Sequence, residues 1–469
     1  MNENELDALG YNRRDFLKGS SVATLMTMLG GVELFAQPAA PAASEGKSAM
    51  ATVKVAVIGL GGWGREIVRT LPTLTYKVPS TQEVMPLAEV AAICDTYPAA
   101  LKRAATEAPK AAQTADYKTI LANKDIRSVI VATPTHQHKE IVLAALAAGK
   151  HVYCEAPLAN TIEDARAIAQ AAKDARQLVF QAGLQLRSEP QRHFLVPFIR
   201  SGALGQFVLA RGQWHKKTSW RTAAANADRE KAVNWRLDKD ISLGLAGEVG
   251  CHQLDQANWF FNSRPKAVTG FGGVLLYTED ERQVPDTIQL VMEYPAGMNL
   301  VYDASLANSF DAAYDIYYGS YSAVMVRENK AWLFKEVDSP LLGWEVYARK
   351  EKFYDETGIA LIANASKSVQ APPAEAAKGP VVDTTLSSAF ENFLRNSREV
   401  DAATEDYISL YGGDDKEALK TEIGKLQKGL RPAASYLEGY QATVTAIKAN
   451  EAVVTRKRVE IKKDLYELG

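Results

Sequence analysis

Glu248-Val249-Gly250-Cys251-His252 sets an acid four residues ahead of a histidine, and Asp255 follows three residues later. Residues four apart share one face of a helix, so a helix across this segment would turn both side chains into one crevice. A neutral imidazole near pH 7 is suited to take a hydroxyl proton, and a neighbouring carboxylate stabilises the imidazolium that results. Asp255 is placed to orient the ring. Glu248 also reads as a helix-start acid. His252 reads either as the base or as a histidine packed on Trp259 and Phe260, and its place inside the pattern favours the base.

A glycine pattern offers a second chemistry. Gly59-Leu60-Gly61-Gly62-Trp63-Gly64 follows the β-branched run from Val53 to Ile58 and precedes a helical pattern from Arg65 to Leu71. Gly59, Gly61 and Gly64 form G-x-G-x-x-G at a strand-to-helix turn. The first glycine permits the turn, the second lets a pyrophosphate approach the backbone, and the third lets helix pack on strand. Gly62 and Trp63 complete the turn, and free N–H groups at the helix start favour phosphates. A second apolar strand, Glu89 to Cys94, ends in Asp95. An acid here binds a ribose 2′-hydroxyl and repels a 2′-phosphate, which favours NAD. Lys102 and Arg103 nearby leave NADP open, and Asp95 also reads as a helix N-cap. The long gap from the glycines to Asp95 requires an insertion around Leu71 to Pro86.

Between these two motifs lies an aromatic and basic stretch: Trp214, His215, Lys216, Lys217, Trp220 and Arg221, then Trp235 and Arg236. Sugar sites use aromatic faces against C–H surfaces and polar donors for hydroxyls. Lys216, Trp220, Arg221 and Trp235 are therefore candidate substrate contacts. The alternative is an exposed, solvated cationic loop.

The elements that must position these groups alternate. Ser128 to Ala132 reads as a strand, followed by Thr133-Pro134-Thr135-His136-Gln137-His138 and a helix ending near Gly149. Strand His151 to Cys154 runs into Glu155-Ala156-Pro157, and Thr161 with Asp164 begins another helix in a capping-box pattern. Such alternation gives a doubly wound parallel sheet with its ligand crevice at the carboxyl ends of the strands. Thr133, Pro134, His138, Glu155 and Pro157 lie on those loops. Beyond Asn262 the pattern is mostly strands, such as Ile288 to Tyr294 and Asn299 to Tyr302. Leu386 to Arg395 and Pro432 to Asn450 read as amphipathic helices, and Ala371 to Pro380 as an exposed loop.

The first fifty residues read differently. Asn12-Arg13-Arg14-Asp15-Phe16-Leu17-Lys18 precedes a mildly apolar run from Gly19 to Ala36 and an Ala/Pro-rich stretch from Gln37 to Ala43. This order is that of an export signal, and the arginine pair resembles a twin-arginine signal. It implies the twin-arginine export machinery as a partner and a periplasmic or extracellular destination for a protein folded beforehand. The 469 residues then divide into a leader at 1–50, a dinucleotide domain at 51–185 and a substrate domain at 186–469. Lys plus Arg number 54 and Asp plus Glu 56, a formal net charge of −2, which argues against a nucleic-acid partner. No run of about twenty uncharged apolar residues suggests a membrane anchor. The three cysteines, Cys94, Cys154 and Cys251, make neither a disulfide framework nor a metal site.

The chain resembles the Gfo/Idh/MocA oxidoreductases from about Val53 onward. The glycine turn, Thr133-Pro134 with His138, Gly149-Lys150-His151-Val152, Glu155-Ala156-Pro157, Gln185-Leu186-Arg187-Ser188-Glu189-Pro190 and the phrase from Ile199 to Gly205 carry the likeness. The resemblance implies an α/β protein: an N-terminal Rossmann sheet, then a C-terminal α+β domain with a large open, mostly antiparallel sheet. That second domain would carry the substrate, with Arg187 at the crossing, and make a homo-oligomer. The family's segment usually reads Glu-Lys-Pro, with the lysine bonded to the reacting hydroxyl. Here Ala156 stands in its place, with Glu155 and Pro157 keeping the loop shape and a cis bond before Pro157. Lys216 or Lys217 can replace it, although strand alternation turns only one of the two inward.

Export and a nicotinamide cofactor combine into one expectation. A compartment without a free cofactor pool favours a dinucleotide loaded before export, held tightly and returned to its starting state in each cycle. Three readings follow: a sugar-hydroxyl oxidoreductase, a glycosidase or lyase using NAD without consuming it, and a non-catalytic dinucleotide- or sugar-binding protein. Some exported relatives in the family's glycoside-hydrolase branch use the second scheme and also lack the lysine.

Overall fold

The computed structural model describes residues 52–78, 81–342, 345, 350–353, 356–361 and 384–468. The leader at 1–50 and the loop from Ala371 to Pro380 lie outside these residues. The first sheet is six-stranded and parallel, in the order β5-β4-β1-β6-β7-β8. Its strands are β1 (Val53–Ile58), β4 (Ala88–Cys94), β5 (Ala112–Thr114), β6 (Ser128–Val131), β7 (His151–Cys154) and β8 (Phe180–Ala182). The insertion after the first helix is real. It forms an antiparallel ribbon of β2 (Thr75–Lys77) and β3 (Val84–Pro86).

Helices α1 (Gly62–Thr70), α2 (Pro98–Ala105), α3 (Tyr117–Ala122), α4 (His138–Ala147) and α5 (Ile162–Asp174) connect these strands. Thr161 caps α5, its hydroxyl accepting the Asp164 N–H at 3.2 Å. Because side chains alternate along a strand, the sheet buries both faces. Val53, Val55 and Val57 enter one core, while Ala56 and Ile58 enter the other.

The second sheet has ten strands, in the order β16-β17-β15-β14-β13-β9-β12-β11-β10-β18. They are β9 (Phe207–His215), β10 (Ala267–Gly273), β11 (Thr287–Glu293), β12 (Asn299–Ser305), β13 (Ala313–Gly319), β14 (Ser322–Arg327), β15 (Lys330–Lys335), β16 (Lys350–Phe353), β17 (Glu356–Leu361) and β18 (Val459–Glu460). Every pairing is antiparallel except β9 with β12. Four helices precede or interrupt this sheet: α6 (Pro190–Phe198), α7 (Ala227–Val233), α8 (Gly244–Glu248) and α9 (Cys251–Phe260). Three more among the described residues lie between β17 and β18: α10 (Thr384–Tyr411), α11 (Lys416–Leu426) and α12 (Tyr436–Thr455).

The carboxyl-terminal helices return to the first sheet. Leu386, Ala389, Phe390, Phe393 and Leu394 of α10 join the core formed by Val55, Val57 and Tyr153. The Tyr153 ring lies 4.8 Å from that of Phe390 and 5.8 Å from that of Phe393. Helix α12 runs between α5 and β10. A Cβ on its Gly439 would stand 2.6 Å from the Ala182 side chain, so only glycine permits this approach. One hydrophobic core therefore passes from the first sheet through α12 into the second. Phe390→Ala is expected to cost about 3–5 kcal/mol in denaturant unfolding, because it empties a buried aromatic site under the first sheet.

Candidate active site

The first sheet reverses its strand order between β1 and β6. Ligands of open α/β sheets bind at such a point, outside the carboxyl ends of the strands. Three loops meet there: the glycine turn after β1, Thr133 to Gln137 after β6, and Glu155 to Pro157 after β7.

Sterics divide the work among the glycines. Gly59 has φ +95°, and a Cβ on it would lie 2.6 Å from the Ala132 carbonyl oxygen. A Cβ on Gly64 would lie 1.9 Å from the Gly59 carbonyl oxygen. These two let the chain fold on itself. Gly61 and Gly62 face open space, with nothing within 4 Å of a built Cβ. That opening, at the start of α1, suits a pyrophosphate. Two buried polar atoms on the β6 loop, Thr133 Oγ1 and His136 Nδ1, have no hydrogen-bond partner among the described residues. Both observations fit a dinucleotide. Asp95 accepts N–H bonds from Leu60 at 2.8 Å and Tyr97 at 2.7 Å. It thus ties the glycine turn to the end of β4, and it is not the N-cap of α2, a place held by Tyr97.

Glu155 is buried, and burial pushes its carboxyl up to about 7. The Trp63 indole N–H donates to it at 2.9 Å. The Ala156–Pro157 bond is cis, and Ala156 is partly buried against the core. His138 is a brace and not an open contact. Its ring is fully buried, Nε2–H donates to the Thr133 carbonyl at 2.9 Å, and burial lowers it to about 4.

Glu248 reaches across to the first domain. Its carboxylate accepts the Thr135 hydroxyl at 3.0 Å and the Leu243 N–H at 3.3 Å. Burial raises its pKa, and the positive charge of Arg236 opposes that rise. The expectation of one helix through Glu248 and His252 is corrected. Helix α8 ends at Glu248, Val249 leaves helical geometry, and α9 begins at Cys251. The Gly250 N–H closes the first helix on the Leu245 carbonyl at 2.8 Å, and a Cβ on Gly250 would lie 2.7 Å from the Ala246 carbonyl oxygen. His252 is half-buried in the first turn of the second helix.

Asp255 and Arg187 are placed differently from expectation. Arg187 Nε and Nη2 donate to Asp255 Oδ2 and Oδ1 at 2.7 and 2.9 Å. Both residues are buried, and the guanidinium lies 5.1 Å over the Trp259 ring. Asp255 therefore spends both oxygens on Arg187, and the guanidinium is buried in this pair. Lys216 and Lys217 follow the end of β9 at His215, so strand alternation does not govern them and both are exposed. Arg221 is engaged on the surface, bonding the Asp280 carbonyl and Glu230.

Trp220 and Trp235 do converge. Arg236 Cζ lies 4.8 Å over the Trp235 ring and 5.9 Å over that of Trp220. Trp235 meets the His136 ring edge-on at 6.0 Å. His136 and Arg236, which the sequence places in these segments but does not single out as contacts, thus join the cluster. The signal was present, since His136 stands two residues before His138. Only the 3-10 turn Thr135–Gln137 decides which of the two is sealed beneath the loop. Among the described residues no cluster of three His, Cys, Asp or Glu side chains is placed to hold a metal ion.

A family model described as "Oxidoreductase family, NAD-binding Rossmann fold" matches residues 53–183, and one described as "GFO/IDH/MocA C-terminal domain" matches residues 197–320. The chain belongs to the Gfo/Idh/MocA oxidoreductase family, and its first domain is an NAD-binding Rossmann fold. The levoglucosan dehydrogenase of Pseudarthrobacter phenanthrenivorans is 30% identical over 214 residues, 45% of this chain and 51% of that enzyme. The inositol 2-dehydrogenase of Acidothermus cellulolyticus is 29% identical over 222 residues, 47% of this chain and 57% of that enzyme. The chain thus spans about half the length of these curated relatives. The fold matches a levoglucosan dehydrogenase solved with NADH and levoglucosan (TM-score 0.64, 18% identity, 88% of this chain and 100% of that one). It also matches an aldose-aldose oxidoreductase from Caulobacter crescentus solved with glycerol (TM-score 0.58, 17% identity, 88% and 100%).

Two outcomes test this geometry. Asp255→Ala is expected to cost about 3–5 kcal/mol in unfolding, because it strands a buried guanidinium, whereas Asp255→Leu combined with Arg187→Met recovers most of that loss. Glu155 behaves as an acid whose folded pKa is raised. Its contribution to stability is full below the ordinary carboxylate range and is lost as pH rises through about 7. With dinucleotide content matched, Glu155→Gln should gain about 1–3 kcal/mol on the wild type between about pH 5 and about pH 8. Parallel melting curves would contradict the burial.

Proposed function

We propose that this protein is an exported, sugar-directed oxidoreductase that keeps its NAD bound through each cycle. The observation that carries the proposal is the Thr135–Glu248 hydrogen bond, which joins the dinucleotide crevice to the segment bearing His252. The relatives that act on levoglucosan and inositol support a polyhydroxylated substrate. The twin-arginine segment supports export, and the absence of an exchangeable pool outside the cytoplasm supports retention.

A bound nicotinamide supplies a hydride acceptor. The remaining work falls to this chain. His252 takes the hydroxyl proton as the carbon-bound hydrogen leaves with its electron pair, so that one alcohol becomes one carbonyl and the proton rests on imidazole. Glu248 holds the loop between α8 and α9 against the β6 loop and fixes the distance between base and cofactor. The indoles of Trp220 and Trp235 offer apolar faces to sugar C–H surfaces, and Arg236 and His136 offer donors to hydroxyls. Ala156 donates nothing, so the hydroxyl must be held by these residues of the second domain and the β6 loop. The glycoside-cleaving reading remains the second proposal, favoured by that same alanine. The open face of the ten-stranded sheet, with Phe271, Val291 and Leu209 exposed, is proposed as the surface for a second copy of the chain.

A panel of sugars and glycosides, followed for both sugar release and nicotinamide absorbance, separates the readings. Reduction of the bound cofactor without sugar release supports the oxidoreductase. Release without net reduction supports glycoside cleavage, and neither signal across the panel overturns catalysis. His252→Ala should lower turnover by about 10²–10⁴-fold, the usual worth of a general base, while leaving the dinucleotide bound. Unchanged turnover removes His252 from the chemistry.

A further inference from the structure

Trp63 and Glu155 are 92 residues apart in sequence, and their side chains are hydrogen-bonded at 2.9 Å. Trp63 is the second residue of α1, directly on the glycine turn that follows β1. Glu155 directly follows β7. These two strands are not neighbours, for β6 lies between them. Two interstrand spacings span roughly 9–10 Å. The 2.9 Å hydrogen bond therefore vaults over the carboxyl end of β6, where the strand order reverses.

What lies around this bridge points to a ligand. Gly61 and Gly62, on the α1 side, leave open space where a Cβ would stand. Thr133, on the loop that the bridge crosses, keeps a buried hydroxyl with no partner among the described residues. A dinucleotide held by the glycine turn would have to cross β6, along the line of this bridge, to bring its nicotinamide toward Glu248 and His252. The two ends of the bridge differ in character. The indole is 37% exposed and can swing outward, whereas Glu155 is 8% exposed and is fixed. Gly183 packs against it so closely that a Cβ there would lie 2.6 Å from Glu155 Oε2.

We propose that the Trp63–Glu155 hydrogen bond is a clasp that closes over the bound dinucleotide and slows its release. The clasp is a rigid carboxyl anchor and one mobile indole, and it opens by rotation of the Trp63 side chain without parting the two domains. It deepens the retained-cofactor reading above and assigns retention to two named residues. Trp63 acts here as a binding and positioning residue and takes no part in proton transfer.

The test uses the full chain loaded with NADH and chased with excess NAD, with loss of nicotinamide fluorescence giving the release rate. Trp63→Phe keeps an aromatic wall and removes the N–H. It should release NADH about tenfold faster, the worth of one hydrogen bond to a carboxyl group, while its association rate changes less. Glu155→Gln keeps an acceptor oxygen and should release more slowly than Trp63→Phe; release as fast as in Trp63→Phe counts against the bond. A Trp63→Phe rate within about twofold of wild type overturns the clasp, because losing the N–H would then leave release unchanged. The ratio of rates decides the clasp alone. A wild type that empties rapidly overturns the retained-cofactor reading instead, whatever the ratio.

Discussion

The buried pair of Arg187 and Asp255 holds the two halves of this molecule in register. Arg187 sits in the 3-10 turn Gln185–Ser188, where the chain leaves the first sheet, and Asp255 sits on α9, which carries His252. Each charge would be costly alone at this depth, and the paired fork geometry is what makes the burial tolerable. Glu438 of α12 approaches Arg187 to 4.0 Å, and the Trp259 ring covers the guanidinium. One cation thus gathers the crossing turn, α9 and α12. The position of His252 relative to the dinucleotide crevice follows from that grouping.

From this constraint the rest of the site can be assembled. Helix α12 bridges the two cores, and Glu248 closes against Thr135. On one side stands the glycine turn, with open space at Gly61 and Gly62, and on the second domain Trp220 and Trp235 gather around Arg236. The acids of the site are held by burial as well as by charge. Glu155 is raised to about 7, and Glu248 is raised against the pull of Arg236.

Much of this was legible in the sequence because it is local. The β-branched run before Gly59, the alternation of strands and helices, and the Thr161 cap depend on neighbours a few residues away. The long helix α10 was seen only in part, as Leu386 to Arg395, because its continuation to Tyr411 is largely polar. What stayed hidden depends on distant partners or on a local break. Asp255 beside His252 looks like an orienting acid until Arg187, 68 residues away, takes both its oxygens. The spacing of Glu248 and His252 suggested one helix, and the chain breaks it at Val249, which leaves helical geometry. His136 and His138 are the same residue type two positions apart, and only the turn between them sends one under the loop and the other toward Trp235.

The central claim is that a nicotinamide dinucleotide is resident in the crevice at the switch point of the first sheet. The most direct measurement is the cofactor content of protein purified without added nucleotide, denatured and quantified against chain concentration. One dinucleotide per chain is the expected result. Correctly folded protein that releases none would contradict it.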